Sequence, residues 1–431
     1  MGRLAVYALV LSVACGTSVA PGSTASSSGG GGGATDGGSN TPVGGGDGGI
    51  ATDAGPPAGS ADAGSAGGAS DAGATSACDG VVPDLTTPRL TFTPNRGPGT
   101  CANGAADGLG NVPLLVTHLD SSGMFTANWL FIDGRTGRAV GEAGFAGTIP
   151  YIEDSIPHGM MGLHDGFAAL EGQFKGTVES YYLDTFTHAG AQLGHQLVSV
   201  RDQRDAQPIL LPDPAGGMVL IETQNAATGF NVVLRRFQES GAADGSPVVV
   251  ATGPASVASP FAEAVVSKTG HILLVHSDGP RPICKAVWLD MRGNKLTQPF
   301  TPAECSTHWP GGFLSLVDGS IVTVVADEQV NFHLSSRYAD SSTVAEAPPA
   351  FLGEDAPPYL FQALPNGRGY AFIPAAPTSD VQFLDASGNV CGKVPLDQLE
   401  GPPQIFRDGT MLMHDLRFEG CTFRWWPQLW K

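Results

Sequence analysis

A turn signal ending in glycine recurs along the last three quarters of this 431-residue chain, each time just before an apolar run. The copies are Gly110, Gly166, Gly216, Gly270, Gly319, Gly367 and Gly409, spaced 42 to 56 residues apart. Asp165, Asp318, Asn366 and Asp408 stand directly before four of them, and the runs that follow include VPLLVTHLD, FAALEGQ, HILLVHSD and SIVTVVAD. Glycine, with Asn or Asp beside it, tolerates the positive φ of a tight hairpin turn, so each copy reads as the link between two antiparallel strands. A second signal follows the first four copies and the sixth, closing at Gly137, Gly190, Gly241, Gly293 and Gly388 after strands such as KAVWLDMRG and VQFLDASG.

Two phased turns in one period describe a four-stranded unit repeated about seven times. An all-β chain built this way is expected to be a seven-bladed β-propeller, or a six-bladed one if the first or last copy is partial. In the fourth copy FAEAVVS is the innermost strand, HILLVHSD the second, KAVWLDMRG the third and KLTQPF the outermost. The sixth copy repeats the order with YLFQALPNG, RGYAFIP, VQFLDASG and VCGKVPL, whereas the third turn of the fifth is Ala339-Asp340-Ser341-Ser342. A ring must close, and the segment expected to close it is LTFTP at positions 90 to 94, paired beside the last blade. The hexapeptide Asp133-Gly134-Arg135-Thr136-Gly137-Arg138 resembles the Asp-x-x-Thr-Gly-Lys/Arg core of quinoprotein-type propeller repeats; Asp290 to Gly293 and Asp385 to Gly388 keep only its Asp and Gly. The resemblance implies architecture and no quinone cofactor.

Before the repeats the composition changes. No Lys or Arg lies between Arg3 and Arg89, and no aromatic residue between Tyr7 and Phe92. The stretch from Gly16 to Ala77 is almost all Gly, Ala, Ser, Thr, Asp and Pro, with too little apolar surface to offset the entropy of ordering it. It reads as a disordered tether with a root-mean-square span of roughly 45 Å. Asp53, Asp62 and Asp71 recur nine residues apart within it, but without the large apolar residue that a calcium-binding β-roll would bury in each turn. Ahead of it, Arg3 and the run LAVYALVLSVA have the charge and length of a signal peptide, too short to span a bilayer. Residues 1 to 14 followed by Cys15 resemble a bacterial lipoprotein signal, which implies cleavage before Cys15, lipidation of its thiol and a lipid anchor in the cell envelope. One position departs from that pattern, with Ser12 three before the Cys and Leu11 one place earlier; ordinary secretion with cleavage near Ala14 or Ala20 is the alternative. The expected organisation is thus signal 1–14, anchored tether 15–77 and propeller 78–431.

Six further cysteines, Cys78, Cys101, Cys284, Cys305, Cys391 and Cys421, contain no Cys-x-x-Cys. An even number in an exported chain argues for disulfides, and pairing of sequence neighbours is the simplest of the connectivities the spacing allows.

Candidate chemistry is sparse. Second strands of three blades end in His and Asp: His118 with Asp120, His276 with Asp278, and His414 with Asp415. Imidazole with carboxylate suits metal binding or general acid–base work; the plainer reading is an Asp capping a turn and a His meeting a local hydrogen bond. His158, His164, Glu153 and Asp154 form a second polar group that no metal-binding spacing organises, and Asp327-Glu328 and Glu354-Asp355 are adjacent carboxylates. Neighbours on a strand point to opposite faces, which argues against a paired-carboxylate glycosidase site. The C-terminal Phe423–Trp430 holds three of the six Trp, either as a binding strip or as the buried last strand of the ring.

Nucleophile-elbow, zincin, phosphate-loop and dinucleotide motifs do not occur in the sequence. The net charge is −19, of which −15 falls after residue 77, giving no electrostatic attraction to nucleic acid or to an anionic leaflet. The expectation is a lipid-anchored extracytoplasmic propeller that binds an envelope protein or glycan without a cofactor, its membrane contact made through the lipid alone. A scaffold resembling the lipid-anchored propeller of outer-membrane-protein assembly is one form of it. The competing expectation is a hydrolase or lyase of envelope or extracellular polymers using the His/Asp residues.

Overall fold

The computed structural model describes residues 76 to 430 apart from short stretches in several loops. The signal-like segment, Cys15 and the tether up to residue 75 lie outside the described residues. Seven separate antiparallel sheets follow one another along the chain, six of them built from consecutive strands and the last completed by an N-terminal strand. First strands of blades three to six touch in succession, which sets them around the axis. The fold is a seven-bladed β-propeller, and the six-bladed alternative falls.

Turn chemistry explains the repeat. Six of the seven first turns close with the glycine N–H donating to the carbonyl three residues earlier, as in Gly110 to Asp107 (3.0 Å) and Gly409 to Phe406 (3.0 Å). Their φ angles, such as +84° at Gly110 and +85° at Gly319, would strain any residue with a Cβ. Blade five makes its third-strand turn without glycine, and there Ser341 takes up φ +58°. Elsewhere an Asp and an Asn four residues later clasp the turn. Asp107–Asn111, Asp290–Asn294, Asp327–Asn331 and Asp385–Asn389 each use one carboxylate oxygen for the Asn backbone N–H and the other for its side-chain amide.

Along the second strands, alternate residues go to opposite faces and every blade is packed on both sides. In blade four Ile272 and Leu274 meet Val219 and Ile221 of blade three, whereas Leu273 and Val275 meet Phe313 and Ile321 of blade five. The fourth strand expected at KLTQPF is reduced to two isolated pairings, Leu289 with Lys295 and Ala286 with Phe300. Pro299 in that segment has no N–H to give to a ladder.

Closure occurs where the sequence placed it. Leu90–Phe92 forms the outer strand of blade seven, antiparallel to Phe423–Trp425. The C-terminal tryptophans are buried as the seal of the ring and not displayed as a strip. Trp425 donates its indole N–H to the carbonyl of Gly134 in blade one (2.6 Å), and Trp288 of blade four does the same to Ser342 of blade five (2.8 Å). Both sit on third strands and reach the third-strand turn of the next blade, so the indole supplies a large buried surface and one directed bond together.

Disulfide pairing departs from the neighbour rule. Cys284–Cys305 forms as expected, but Cys78 pairs with Cys391, 313 residues away, and not with its sequence neighbour Cys101. The local pairs Cys78–Cys101 and Cys391–Cys421 are therefore wrong. Before it becomes the closing strand, the N-terminal segment runs against blade six. Val81 is buried in the core shared by blades six and seven, Asn366 and Arg368 donate to the carbonyls of Gly80 (2.8 Å) and Asp79 (3.0 Å), and Trp430 donates to Val81 (2.9 Å). Cys78 is thus held beside the outer strand of blade six, which carries Cys391. The side chains of Cys101 and Cys421 fall outside the described set.

Peptide mapping of the oxidised protein is expected to recover Cys78 linked to Cys391; a Cys78–Cys101 peptide would contradict the fold at its seam. Replacing both Cys78 and Cys391 by Ser should lower stability to denaturant by roughly 4 to 5 kcal/mol, the scale for a cross-link closing a loop of a hundred residues or more. Trp425→Ala is expected to cost about 3 to 5 kcal/mol in the same assay.

Candidate functional site

The residues of the acid–base reading that the structure describes fall on blades one, four and seven. His118 pairs in register with Thr126 in blade one, and His414 and Asp415 pair with Phe423 and Thr422 in blade seven. These two blades are neighbours across the closure, but Asp120 and the side chains of His118, His414 and Asp415 lie outside the described residues. His276 stands on blade four, three blades away from either in the ring.

His276 and Asp278 are described, and each has a partner other than the other. His276 is only 3% exposed, and its Nδ1–H donates to the carbonyl of Ser277 at 2.9 Å. Burial pushes its pKa down, against a smaller upward pull from that bond and from Asp278. The ring is therefore neutral at physiological pH. Asp278 lies just beyond the strand, where its backbone N–H donates to Ile283 (3.1 Å) and its carboxylate pairs with Lys285 at 2.9 Å. Asp278 is thereby paired with the strand that carries Cys284. His164 is at the surface, 2.7 Å from the Asp165 carboxylate. Glu239 of blade three accepts the backbone N–H groups of both His164 (3.2 Å) and Asp165 (2.7 Å) and so ties blade two to blade three. His158 and its acidic neighbours Glu153 and Asp154 fall outside the described side chains.

A polar centre that motif reading did not single out lies in blade two. Glu171 on the second strand and Asp184 on the third are 3% and 4% exposed. His195 on the outer strand is directly opposite Asp184 in register, and its Nδ1 is 2.7 Å from Asp184 Oδ1. The imidazole stacks on Tyr182 with ring centres 4.7 Å apart, while its side chain stays 35% exposed. Gln192 donates to Asp184 at 2.8 Å and Gln173 to Glu171 at 3.1 Å. One donor atom from each of Glu171, Asp184 and His195 lies within 4.8 Å of the other two. Desolvation raises the pKa of Asp184, with Glu171 adding to it and His195 and Gln192 opposing. Imidazole and two carboxylates at this spacing are a donor set for a divalent cation or for proton exchange with a bound group.

Blade three carries the same Glu-x-Gln step. Glu222 occupies the place of Glu171, and Gln224 donates to it at 2.7 Å. There the facing residue is Arg235, 2.5 Å from the Glu222 carboxylate and also bonded to the carbonyl of Val198 (2.6 Å). A further polar feature is a cleft of about 510 Å³ between blades five and six, lined by Asp318, Arg337, Phe351 and Tyr370 among others. Its guanidinium is engaged by Asp318 (2.7 Å) and Ser320 (3.0 Å), and the Tyr370 hydroxyl accepts the N–H of Val317 (3.1 Å).

No protein-family description matches the chain, and no curated protein does either. Solved structures share its architecture distantly. Sqt1 of Chaetomium thermophilum aligns over 78% of this chain and 83% of its own at 10% identity, with a TM-score of 0.39. A quinonprotein alcohol dehydrogenase-like protein of Bacteroides thetaiotaomicron aligns over 68% and 66% at 11% identity (TM-score 0.34). The polysaccharide lyase Uly1 aligns over 77% and 78% at 9% identity (TM-score 0.35). At these values the likeness carries no argument about activity.

His276 gives the pH dependence a definite sign. Its folded pKa is depressed, so its contribution to stability is complete above the unfolded value of about 6.5 and is lost as pH falls through the folded value. Asp385 behaves alike at lower pH: the Asn389 amide and the backbone N–H groups of its turn hold the carboxyl below its ordinary value. That contribution is complete above about pH 4 and lost in stronger acid. Denaturant midpoints measured against pH should fall in two stages, and His276→Gln should remove the first while leaving the second.

Proposed function

We propose that this protein is an extracytoplasmic binding or scaffold module of the cell envelope, held to the membrane by a lipid on Cys15 and presenting its propeller at the end of a long tether. The observation that carries the reading is the use made of His276 and Asp278. Among the rim His/Asp pairs, the one with described side chains serves the fold, through a neutral buried imidazole and an ion pair to Lys285. Two disulfides, one sealing the ring at its seam, suit an oxidising compartment outside the cytoplasm. Among the described residues no helix is long and apolar enough to cross a membrane. A closed ring of seven packed sheets is rigid, and rigidity lowers the entropic cost of holding a partner on its rim.

Metabolic labelling with a fatty acid in the native host is expected to mark the protein, and Cys15→Ser should abolish the label and release the chain from the membrane fraction. Labelled membranes in which Cys15→Ser changes nothing would remove the anchor. For the binding role, the mature chain should retain one envelope protein or glycan from envelope extracts, and charge reversal at one rim should end the retention while the melting temperature stays unchanged. Cleavage of an envelope polysaccharide by the purified chain, abolished by His118→Ala or His414→Ala, would overturn it in favour of an enzyme.

A further inference from the structure

Blade three neutralises a buried carboxylate with an ion pair, and blade two at the corresponding place does not. Second strands of blades two and three read FAALEGQ and MVLIETQ, and their third strands read YYLDTF and VVLRRF. The pairing registers superpose: Ala169 faces Asp184 as Leu220 faces Arg235. Glu171 therefore corresponds to Glu222, Gln173 to Gln224, and Asp184 to Arg235. In blade three the buried carboxylate is neutralised by the guanidinium. In blade two the guanidinium position holds a second carboxylate, and the outer strand brings an imidazole to it.

We infer that Glu171, Asp184 and His195 form a binding site for one divalent cation of the zinc or manganese type, the ion standing in blade two for the charge that Arg235 supplies in blade three. The charge fits, since two buried carboxylates are balanced by two positive charges. Burying two carboxylates side by side is costly unless something positive joins them. The donors fit as well, because one nitrogen and two carboxylate oxygens suit Zn²⁺ or Mn²⁺ better than the harder, all-oxygen preference of Ca²⁺ or Mg²⁺. Tyr182 fixes the plane of the imidazole by stacking, and Gln173 and Gln192 hold the two carboxylates, which is the outer-shell support that orients metal ligands. His195, exposed on the outer strand, gives the ion a path from solvent. Three protein donors are fewer than a closed structural zinc site uses, so a coordination position is left for water or for an oxygen of a bound partner. The site is independent of the envelope-binding reading and stands or falls separately.

Blade three supplies the decisive variant. The full chain, stripped with chelator and titrated with ZnCl₂ or MnCl₂, is expected to take up one equivalent by calorimetry and elemental analysis, and its melting temperature to rise on metal addition. Asp184→Arg, which rebuilds the blade-three arrangement, should bind the same ion at least about tenfold more weakly, melt at or above the temperature of the metal-free parent and show no further rise with metal. His195→Ala, a change at a partly exposed side chain, should show the same loss of affinity in a folded protein. Glu239→Gln, beside the surface group His164 and Asp165, should bind normally. Absence of bound metal in the parent at saturating Zn²⁺ and Mn²⁺ overturns the inference, as does undiminished binding by folded Asp184→Arg or His195→Ala. Loss of binding in Glu239→Gln alone would move the site to the blade two–three turn and equally overturn it.

Discussion

Closure of the ring is the constraint on which the rest of the molecule depends. Six interfaces between blades are made by consecutive stretches of chain, but the seventh joins residues more than three hundred apart: Leu90 and Phe92 pack with Val112, Leu114, Leu412, Phe423 and Trp425. A sheet stack that stayed open would leave two apolar faces and two strand edges in water. The chain answers with four links of three kinds along the N-terminal segment and the last blade: a strand pairing, indole hydrogen bonds to Gly134 and to Val81, and the Cys78–Cys391 disulfide to blade six. Because every blade is packed on both sides, stability at the seam is felt by all of them.

Away from the seam the blades are registered by contacts between turns. The first turn of one blade reaches the third-strand turn of the next, as Asp107 to His188 (2.7 Å), Glu239 back to His164 and Asp165, and His271 to Asp340 (2.8 Å). At these three interfaces the positions repeat while the residues vary: imidazole and carboxylate change sides between the first and the third, and a carboxylate takes backbone N–H groups at the second. This is why the repeat is visible in glycines and nearly invisible in everything else.

That difference decides what could be read in advance. A positive φ is a demand that only a few residues meet, so the turns, the blade count and the closing strand at 90 to 94 were legible in the sequence. Disulfide partners were not, because proximity at the seam is created by the path of the N-terminal segment over blade six, a property of the ring and not of spacing along the chain. The candidate site shows the same limit. His276-Ser277-Asp278 looked like a functional pair because its members are close in sequence, but the strand ends at Ser277 and the chain then turns Asp278 toward Lys285. Glu171, Asp184 and His195 come from three strands and have no linear signature. The signal that was present is comparative: aligned with MVLIETQ and VVLRRF, the segments FAALEGQ and YYLDTF differ in charge at two positions, Asp184 for Arg235 and Thr185 for Arg236, and the first of these lies beside the shared Glu.

A charge reversal inside a repeat is more informative than a charged cluster by itself. Surface carboxylates gather in an acidic protein without consequence, since water screens them. Between two packed blades there is little water, and the field at Asp184 is set by a few groups whose positions the sheets fix. Substituting Asp for Arg there exchanges an attraction for a repulsion within a frame that blade three shows to be satisfiable by a simple ion pair. A sequence under selection for stability alone has that simpler solution available one blade away. Retaining the carboxylate, setting a stacked imidazole opposite it and leaving that imidazole open to solvent are three separate departures from the blade-three arrangement, and all three favour a cation at the same point.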